Sequence, residues 1–479
     1  MSARYITTTL PYVNADPHIG FAVEIVQADV LARTWRAAGD EVFFNTGTDE
    51  HGQKILEAAE KAGQEVHTYV DHYANEFKKL KESLNLDALH FIRTSSPEHV
   101  SAAQEMWRRC DASGDIYKKS YTGLYCVGCE SYKTEKEIVD GHCSIHTTLE
   151  LQEITEENYF FRFSKYADQL LTHLSRPDSI IPDWRREEAI AFVKGGLEDF
   201  SISREKARLS WGIPVPGDDS QVMYVWFDAL TGYISTLGWP NDSEGTFKKF
   251  WEEGTTLQVA GKDQVRFQSL IWQAMLISAG IKNTDRVFYH GFINSGGQKM
   301  SKSLGNVINP YDLVKKYGTD ATRYLLLRHV NPMEDSDVTW ERLDEWYTAN
   351  LTNGLGNLVA RVMQMAVAYL EGPVEITGET EPDVSVAAHV EVFEFGRAMD
   401  GIWERIGHDD ALIALEKPFA GVKSDDGAIR EKALSIIKKL VRELHATSIE
   451  LESFMPSTSA QISEAVRIHK KPENLFPRI

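Results

Sequence analysis

The rhythm of apolar and polar positions changes three times along the chain. Residues 5–10, YITTTL, run through apolar and β-branched side chains and predict a short strand. A loop punctuated by Pro11, Asn14, Asp16 and Pro17 follows, and from His18 the pattern predicts a helix to about Arg36. Residues 41–44 predict a second strand, residues 46–52 a polar loop and residues 54–62 a second helix. Strand, loop and helix in alternation predict an α/β fold with a doubly wound parallel sheet, whose functional residues sit on loops at the carboxyl ends of the strands. Residues 117–221 interrupt that rhythm, which resumes with a strand at 257–260, a helix at 271–277 and a strand at 287–292. From residue 320 onward the chain reads as almost entirely helical. A connection at 335–340 precedes amphipathic stretches at about 341–371, 386–408, 409–422, 427–454 and 457–469, and residues 475–479 read as a packed tail.

At 479 residues the chain is long enough for two to four domains. It is 42% hydrophobic and 25% charged, the balance of a soluble protein. No apolar run approaches the ~18 residues of a membrane span, and the first residues lack the basic and apolar segments of a signal peptide, so no membrane association and a cytoplasmic location are expected. The absence of a further domain after the tail suggests a monomer. A formal net charge of −20 argues against nucleic-acid binding over the whole surface, though not against a local basic groove. Lys432, Lys438, Lys439, Arg442, Arg467, Lys470 and Lys471 cluster late in the chain, and on their own they are equally a solvated helix face.

Chemistry concentrates at a few places. The loop-to-helix turn at His18, Ile19 and Gly20 offers helix-terminal amides that favour anions, close backbone approach at Gly20 and a side-chain donor at His18. Alone it is equally an ordinary turn. About 280 residues later, Lys299, Met300, Ser301, Lys302 and Ser303 follow Gly296 and Gly297. Two ammonium groups and two hydroxyls on such a loop suit a triphosphate. Asp49, on the loop after the second strand, is placed to pair with a substrate ammonium or to cap a helix. Trp226, Ala229 and Tyr233 share one face if the stretch from Trp226 is helical, and there they could floor an apolar pocket or pack in a core. Asn353, Asn357 and Arg361, spaced by four, line one helix face, where amides and a guanidinium can read unstacked RNA bases.

Cys126, Cys129, Cys143 and His146 form a C-x2-C-x13-C-x2-H pattern. Three thiolates and an imidazole make a closed tetrahedral zinc set, which predicts one structural Zn²⁺ per chain with no position for catalytic water. Cys110 lies outside the cluster and reads as a plain buried thiol.

Taken in order, LPYVNADPHIG, FFNTGTDEHG, YCVGCE, WGIPVPGD, YVWFDAL, GKDQVRF, HGF, KMSKSLGN and NLTNGLGNLVAR span most of the chain. They resemble the methionyl-tRNA synthetase family of class I aminoacyl-tRNA synthetases, and the insertion is too short for the editing domain of the family's leucine, isoleucine and valine relatives. The resemblance implies a Rossmann-type catalytic domain in two halves, 1–116 and 222–325, split by a connective insertion at 117–221 that carries a zinc knuckle. A stem-contact connection at 326–345 and an all-α anticodon-binding domain at 346–479 would follow. It implies ATP-dependent activation of L-methionine and transfer of the methionyl group to initiator and elongator tRNA(Met). By position, methionine would lie against Leu10, Tyr12, Trp226, Ala229 and Tyr233, with Asp49 on its ammonium and Gln264 and Gln268 flanking its side chain. ATP with Mg²⁺ would sit over Pro11, His18 and Gly20, near Gly261, Lys262 and Asp263. Lys299, Met300, Ser301, Lys302 and Ser303 would hold the triphosphate, with His18, Lys299 and Lys302 as the catalytic groups. Asn353, Asn357, Arg361 and Phe419 would read the anticodon.

The sequence departs from the family pattern at four of these places. Phe21, at the fourth position of the HIGH motif, cannot donate to a phosphate. Gln264 and Gln268 stand where the family often has an apolar residue and a histidine, so each amide is expected to turn away or find a partner. Phe419 replaces a common tryptophan with a smaller stacking ring. Two other classes fit parts of the pattern: a tRNA-independent nucleotidyl transferase of the HIGH superfamily, and a non-catalytic tRNA binder.

Overall fold

Six parallel strands form the central sheet of the computed structural model, in the spatial order Leu89–Arg93, Glu41–Thr48, Ala3–Thr8, Thr255–Gly261, Arg286–His290, Ile180–Ile181. The structure describes residues 1–133, 135–300, 306–376 and 384–479. They fall into two compact units. The first comprises Met1–Pro17, Gly39–Lys79 and Ala88–His290, and the second His18–Ala38, Leu80–Asp87 and Gly291–Ile479.

In the first unit the strand Ala3–Thr8 occupies the centre of the sheet because Tyr5, Ile6, Thr7 and Thr8 are buried on both of its faces. Tyr5 packs between Phe43 and Trp251, with ring centroids 5.9 and 5.7 Å away. From this strand the chain moves outward to Glu41–Thr48 and Leu89–Arg93. From Thr255–Gly261 it moves outward the opposite way, to Arg286–His290. The direction reverses between Ala3–Thr8 and Thr255–Gly261, where Thr7 pairs with Gln258 and Thr8 with Val259. A sheet of this kind opens a binding crevice at such a switch point, outside the carboxyl ends of the strands.

The doubly wound parallel sheet is therefore present as expected, with corrections of detail. The second strand runs on to Thr48 rather than yielding to a loop at residue 46, because Asn45, Thr46 and Thr48 are buried and continue the ladder with Leu89–Arg93. The segment read as wholly inserted returns to the sheet at Ile180–Ile181, which pairs with Val287 and Phe288. The expected helix from Trp226 is two short helices, Val225–Ala229 and Gly232–Ser235. Leu230 and Thr231 between them keep right-handed helical dihedrals, so the chain continues to coil in the same sense. Within the insertion, Ile116–Cys126 and Gln152–Phe161 form a long antiparallel ribbon that carries the cysteine cluster at its tip.

The second unit is mainly helical. The helix Ile19–Ala37 buries residues on all its faces. Thr319–Arg328, Asn357–Tyr369, Phe395–Glu416, Gly427–Leu451 and Pro456–Arg467 supply most of the remainder. The break expected near residue 408 is absent. Gly407 is tolerated inside one continuous helix that stops where Lys417 turns left-handed, at φ 45°, ahead of Pro418. The C-terminal tail packs only in part: Phe476 is buried and Tyr347 Oη donates to the Pro477 carbonyl at 2.8 Å, while the Pro477, Arg478 and Ile479 side chains are exposed. Among the described residues, no helix is long and apolar enough to cross a membrane.

Candidate active site

The first unit gathers one cluster at the carboxyl end of its central strands. Beyond Thr8 the chain leaves the sheet, and Tyr12 rejoins Asp49 in an isolated parallel bridge. The Asp49 amide donates to the Pro11 carbonyl at 3.0 Å, and the Val13 amide to the Asp49 carbonyl at 3.3 Å. Two loops predicted to be functional are thereby tied backbone to backbone.

Asp49 is 1% exposed, and its Oδ1 meets no hydrogen-bond donor among the described residues. Burial, then the nearby Asp228 and Glu130 carboxyl groups, push its carboxyl well above the usual range. A buried, incompletely satisfied carboxylate costs stability unless a cation pairs with it. Around it stand aromatic rings. Trp226 stacks on Phe267 with centroids 3.9 Å apart and planes at 16°, and Tyr12 meets Trp226 edge-on at 6.3 Å and 89°. Ala229 and Tyr233 are buried nearby, and Gly232 packs so tightly on Leu10 that a Cβ there would lie 2.5 Å from Leu10 Cδ1. The Tyr233 carbonyl accepts from Tyr5 Oη at 2.6 Å, which seats it on the first strand.

Both expected glutamine departures resolve as hydrogen bonds. Gln268 is buried and donates Nε2 to Tyr233 Oη at 2.5 Å. Gln264 turns its amide to Asp263 Oδ2 at 3.0 Å. Gly261 ends its strand in extended conformation, and a Cβ on it would lie 2.8 Å from Asp263 Oδ1, so the absence of a side chain lets that carboxylate fold back over the turn.

Several buried polar groups beneath this cluster were not singled out by sequence reasoning. Asp228 accepts from both His51 Nδ1 and His99 Nε2, each at 2.8 Å, and His99 Nδ1 contacts Ser235 Oγ at 3.0 Å. The two histidines hold the Asp228 carboxyl below its ordinary value despite burial. Glu130, next to Cys129, reaches Tyr12 Oη with one carboxylate oxygen and the Lys54 amide with the other, at 2.8 Å. The available signal was that His51, Asp228 and Glu130 lie within recognisable motifs, TDEHG, WFDA and YCVGCE.

The second unit holds the HIG turn and joins it to the segment that follows the second phosphate-type motif. His18 caps the helix Ile19–Ala37, its Nδ1 accepting from the Gly20 amide at 3.1 Å. The neutral ring then carries its proton on Nε2, as a donor. Gly20 is required for this cap, since a Cβ would lie 2.9 Å from His18 Cε1. The Gly20 amide is thus engaged by His18 rather than left open as expected. The Ile19 amide donates to the Ile308 carbonyl at 3.0 Å, which joins the HIG turn to the segment following KMSKS. Lys299 ends a hairpin in which Asn294 pairs with Lys299, and Ser336–Asp337 lies alongside. Met300 follows, half-buried, while Ser301, Lys302 and Ser303 lie outside the described residues. Phe21 is buried in the helix that His18 caps.

Also in the second unit, Asn353 and Asn357 are exposed and Arg361 half-exposed, on a helix that is π-wound over Tyr347–Gly356 before becoming α-helical. The Arg361 guanidinium pairs with Asp410 at 2.9 Å. Phe419 is 44% exposed on the short helix Pro418–Gly421.

Cys126, Cys129, Cys143 and His146 converge as predicted, with their ligand atoms all within 4.8 Å of one another. Cys129 Sγ lies 3.6 Å from Cys143 Sγ and 3.2 Å from His146 Nδ1. The edge of a tetrahedron with ~2.3 Å metal–sulfur bonds is about 3.8 Å, so the donor set fits a metal ion. Cys110 is fully buried, and burial pushes its thiol up to about 12.

Comparison with known proteins decides the family. The model of the "tRNA synthetases class I (M)" matches residues 4–153 and 135–363. The methionine–tRNA ligase of Rhizobium meliloti is 39% identical over 98% of this chain and 92% of its own length. That of Fusobacterium nucleatum is also 39% identical, over 98% of this chain and 75% of its own. The chain belongs to the class I methionyl-tRNA synthetase family. Among solved members of that family, the Mycobacterium tuberculosis enzyme in complex with methionyl-adenylate superposes with a TM-score of 0.88 at 35% identity, covering 100% of this chain and 98% of the other. Its apo form gives 0.85 at 32% identity.

Proposed function

We infer that the protein activates L-methionine with ATP to methionyl-adenylate and transfers the methionyl group to the 3′-terminal ribose of tRNA(Met), for initiation and elongation. The observation that carries this reading is the Asp49 carboxylate, buried with an unmatched oxygen beside the Tyr12–Trp226 pair. A cation a few ångströms from a soft apolar side chain is what methionine offers. Its ammonium would pair with Asp49, and its thioether would lie against Leu10, Tyr12, Trp226, Ala229 and Tyr233. A thioether makes favourable contact with aromatic rings. Gln268, with its amide on Tyr233, would present its remaining oxygen edge to the side chain, and Gln264 would stay turned away.

ATP would be bound by Pro11, His18, Gly20, Gly261, Lys262 and Asp263, with Lys299, Met300, Ser301, Lys302 and Ser303 over the triphosphate and Mg²⁺ as its counter-ion. The methionine carboxylate attacks the α-phosphorus and pyrophosphate leaves. Negative charge grows on the phosphoryl oxygens, so His18 Nε2–H and the lysine ammonium groups act as positioned donors, and no protein nucleophile is needed. A ribose hydroxyl of the tRNA then displaces AMP from the mixed anhydride. Asn353, Asn357, Arg361 and Phe419 would read the anticodon, with Arg361 leaving Asp410 to do so. Zinc bound by Cys126, Cys129, Cys143 and His146 would supply structural cross-linking of the knuckle. The protein would act as a cytoplasmic monomer.

Amino-acid-dependent ATP–pyrophosphate exchange across the twenty amino acids tests this reading. Exchange with methionine alone is expected, and Lys302→Ala should slow it by orders of magnitude with methionine binding intact. Absence of exchange with every amino acid would overturn the reading in favour of a non-catalytic tRNA binder.

A further inference from the structure

The metal-binding knuckle and the aromatic cluster share a contact that the chemistry of activation does not require. Glu130 directly follows Cys129, is 2% exposed and sits in the left-handed region, at φ 51°. That conformation is uncommon for a residue with a side chain and persists where the surroundings fix it. Here the backbone is held by Arg204, whose Nη2 donates to the Glu130 carbonyl at 3.2 Å. The carboxylate is fully committed. One oxygen accepts from Tyr12 Oη, the other from the Lys54 amide at 2.8 Å. The surface opposite is shaped for it: at Gly52, φ 109°, a Cβ would lie 2.8 Å from Glu130 Oε1 and 3.2 Å from Tyr12 Oη.

Tyr12 is therefore held at both ends. Its backbone is bridged to Asp49, and its hydroxyl is anchored on Glu130. Between those anchors its ring stands edge-on to Trp226. The opposite wall receives a second strut from the same segment. Glu137 pairs with Arg266 at 3.0 Å and with Lys133 at 3.5 Å, and Arg266 precedes Phe267, on which Trp226 stacks.

We propose that Glu130 is a positioning residue for amino-acid selection, which holds the Tyr12 ring against Trp226 and so sets the width left between them for the substrate side chain. The inference rests on the reading that this cluster takes methionine. Glu130 bonds Tyr12, the Lys54 amide and Arg204, none of them assigned to ATP or to the reacting carboxylate, so its loss acts on amino-acid binding and discrimination rather than on the chemical step.

The test uses the full-length, metal-loaded protein. Glu130→Ala, Glu130→Gln, Tyr12→Phe and the double variant Tyr12→Phe/Glu130→Ala are compared by methionine Kd from calorimetry without ATP, and by KM and kcat in pyrophosphate exchange with methionine and norleucine. Glu130→Ala is expected to raise methionine Kd and KM about tenfold, as for loss of a hydrogen bond to a charged group, while kcat and the ATP KM change by less than about threefold. Discrimination against norleucine should fall in parallel. Glu130→Gln, which keeps one acceptor for two donors, should lie between. The double variant should be no worse than the more affected single variant, because both remove one contact. Should Glu130→Ala lose its metal or its fold, Tyr12→Phe reads the same contact from the other end with the knuckle untouched. Methionine Kd unchanged in Tyr12→Phe, or additive effects in the double variant, would overturn the proposal. Wild-type exchange with an amino acid other than methionine would overturn only the functional reading, and the Glu130 comparison would then run on that amino acid.

Discussion

Arg323 Nη2 lies 2.7 Å from Asp29 Oδ2, and neither side chain is exposed to solvent. Every other arm of this guanidinium is also used. Nε donates to the Phe454 carbonyl at 2.7 Å, Nη1 to the Leu84 carbonyl at 3.0 Å and Nη2 to the Ser453 carbonyl at 2.9 Å. Asp29 in turn accepts from Arg33 at 2.8 Å and from the Asp87 amide at 2.7 Å. One residue thus ties the helix that follows the HIG turn to two separate backbone segments of the second unit, at Leu84 and at Ser453–Phe454. Arg323→Met strands four buried acceptors and should lower unfolding free energy by about 3–5 kcal/mol. Arg323→Lys keeps the charge without the fork and should fall between, with urea denaturation as the measurement.

Asp49 should make methionine binding pH-dependent. Burial and the neighbouring Asp228 and Glu130 raise its carboxyl above the ordinary range, and only the ionised form attracts an ammonium. Affinity should therefore rise as pH rises through the Asp49 pKa, with a proton released on binding. Asp49→Asn should flatten that dependence and weaken methionine by about 3 kcal/mol, two orders of magnitude. Calorimetry in buffers of different ionisation enthalpy measures both quantities. Tight, pH-independent binding by Asp49→Asn would remove Asp49 from the ammonium site.

Asp409 offers a second titration, remote from the chemistry. Burial, reinforced by Glu443 and Asp410 and opposed by Lys439 and Arg405, pushes its carboxyl up to about 7. Its Oδ2 is buried with no hydrogen-bond partner among the described residues. A raised acid favours the folded state fully only below its unfolded pKa, near 4 for aspartate. The contribution is lost as pH climbs from there to about 7. Asp409→Asn, which cannot ionise, should therefore gain stability relative to the wild type between pH 5 and pH 8, by about 1–3 kcal/mol. Chemical denaturation at the two pH values reads the difference directly.

Elemental analysis of protein purified without added metal should find one zinc per chain, and Cys143→Ser should reduce it. Chelation should disorder the segment between the two ligand pairs first, because its polar residues bury little else to hold it. A full complement of free thiols in metal-free protein with unchanged thermal stability would count against a structural role.

The parts of the architecture legible from sequence were those written in local spacing. The β-branched run before Pro11, the His18–Gly20 turn after Pro17 and the C-x2-C-x13-C-x2-H pattern each declare themselves within a few residues. The structure gathers the four metal-type ligands. Illegible were features made by distance along the chain. Ile180–Ile181 is too short for any periodicity, yet it completes the sheet. Asp228 meets His51 and His99 across 177 and 129 positions, and Glu130 meets Tyr12 across 118. Such pairings exist only once the fold has formed. Phe395–Glu416 is one helix where the sequence predicts two, because Gly407, His408, Asp409 and Asp410 interrupt the apolar side chains while the backbone does not break.

The central strand also imposes a schedule. Ala3–Thr8 is made well before its partner on one side, which begins at Thr255 and is translated about 250 residues later. At ~5–20 residues per second that is a wait of roughly 10–50 s, during which the innermost strand can pair only with Glu41–Thr48 and keeps its other backbone edge open. Nascent chains in this interval carry an unpaired β edge on a strand that contains Tyr5 and Ile6, and such an edge is a template for aggregation.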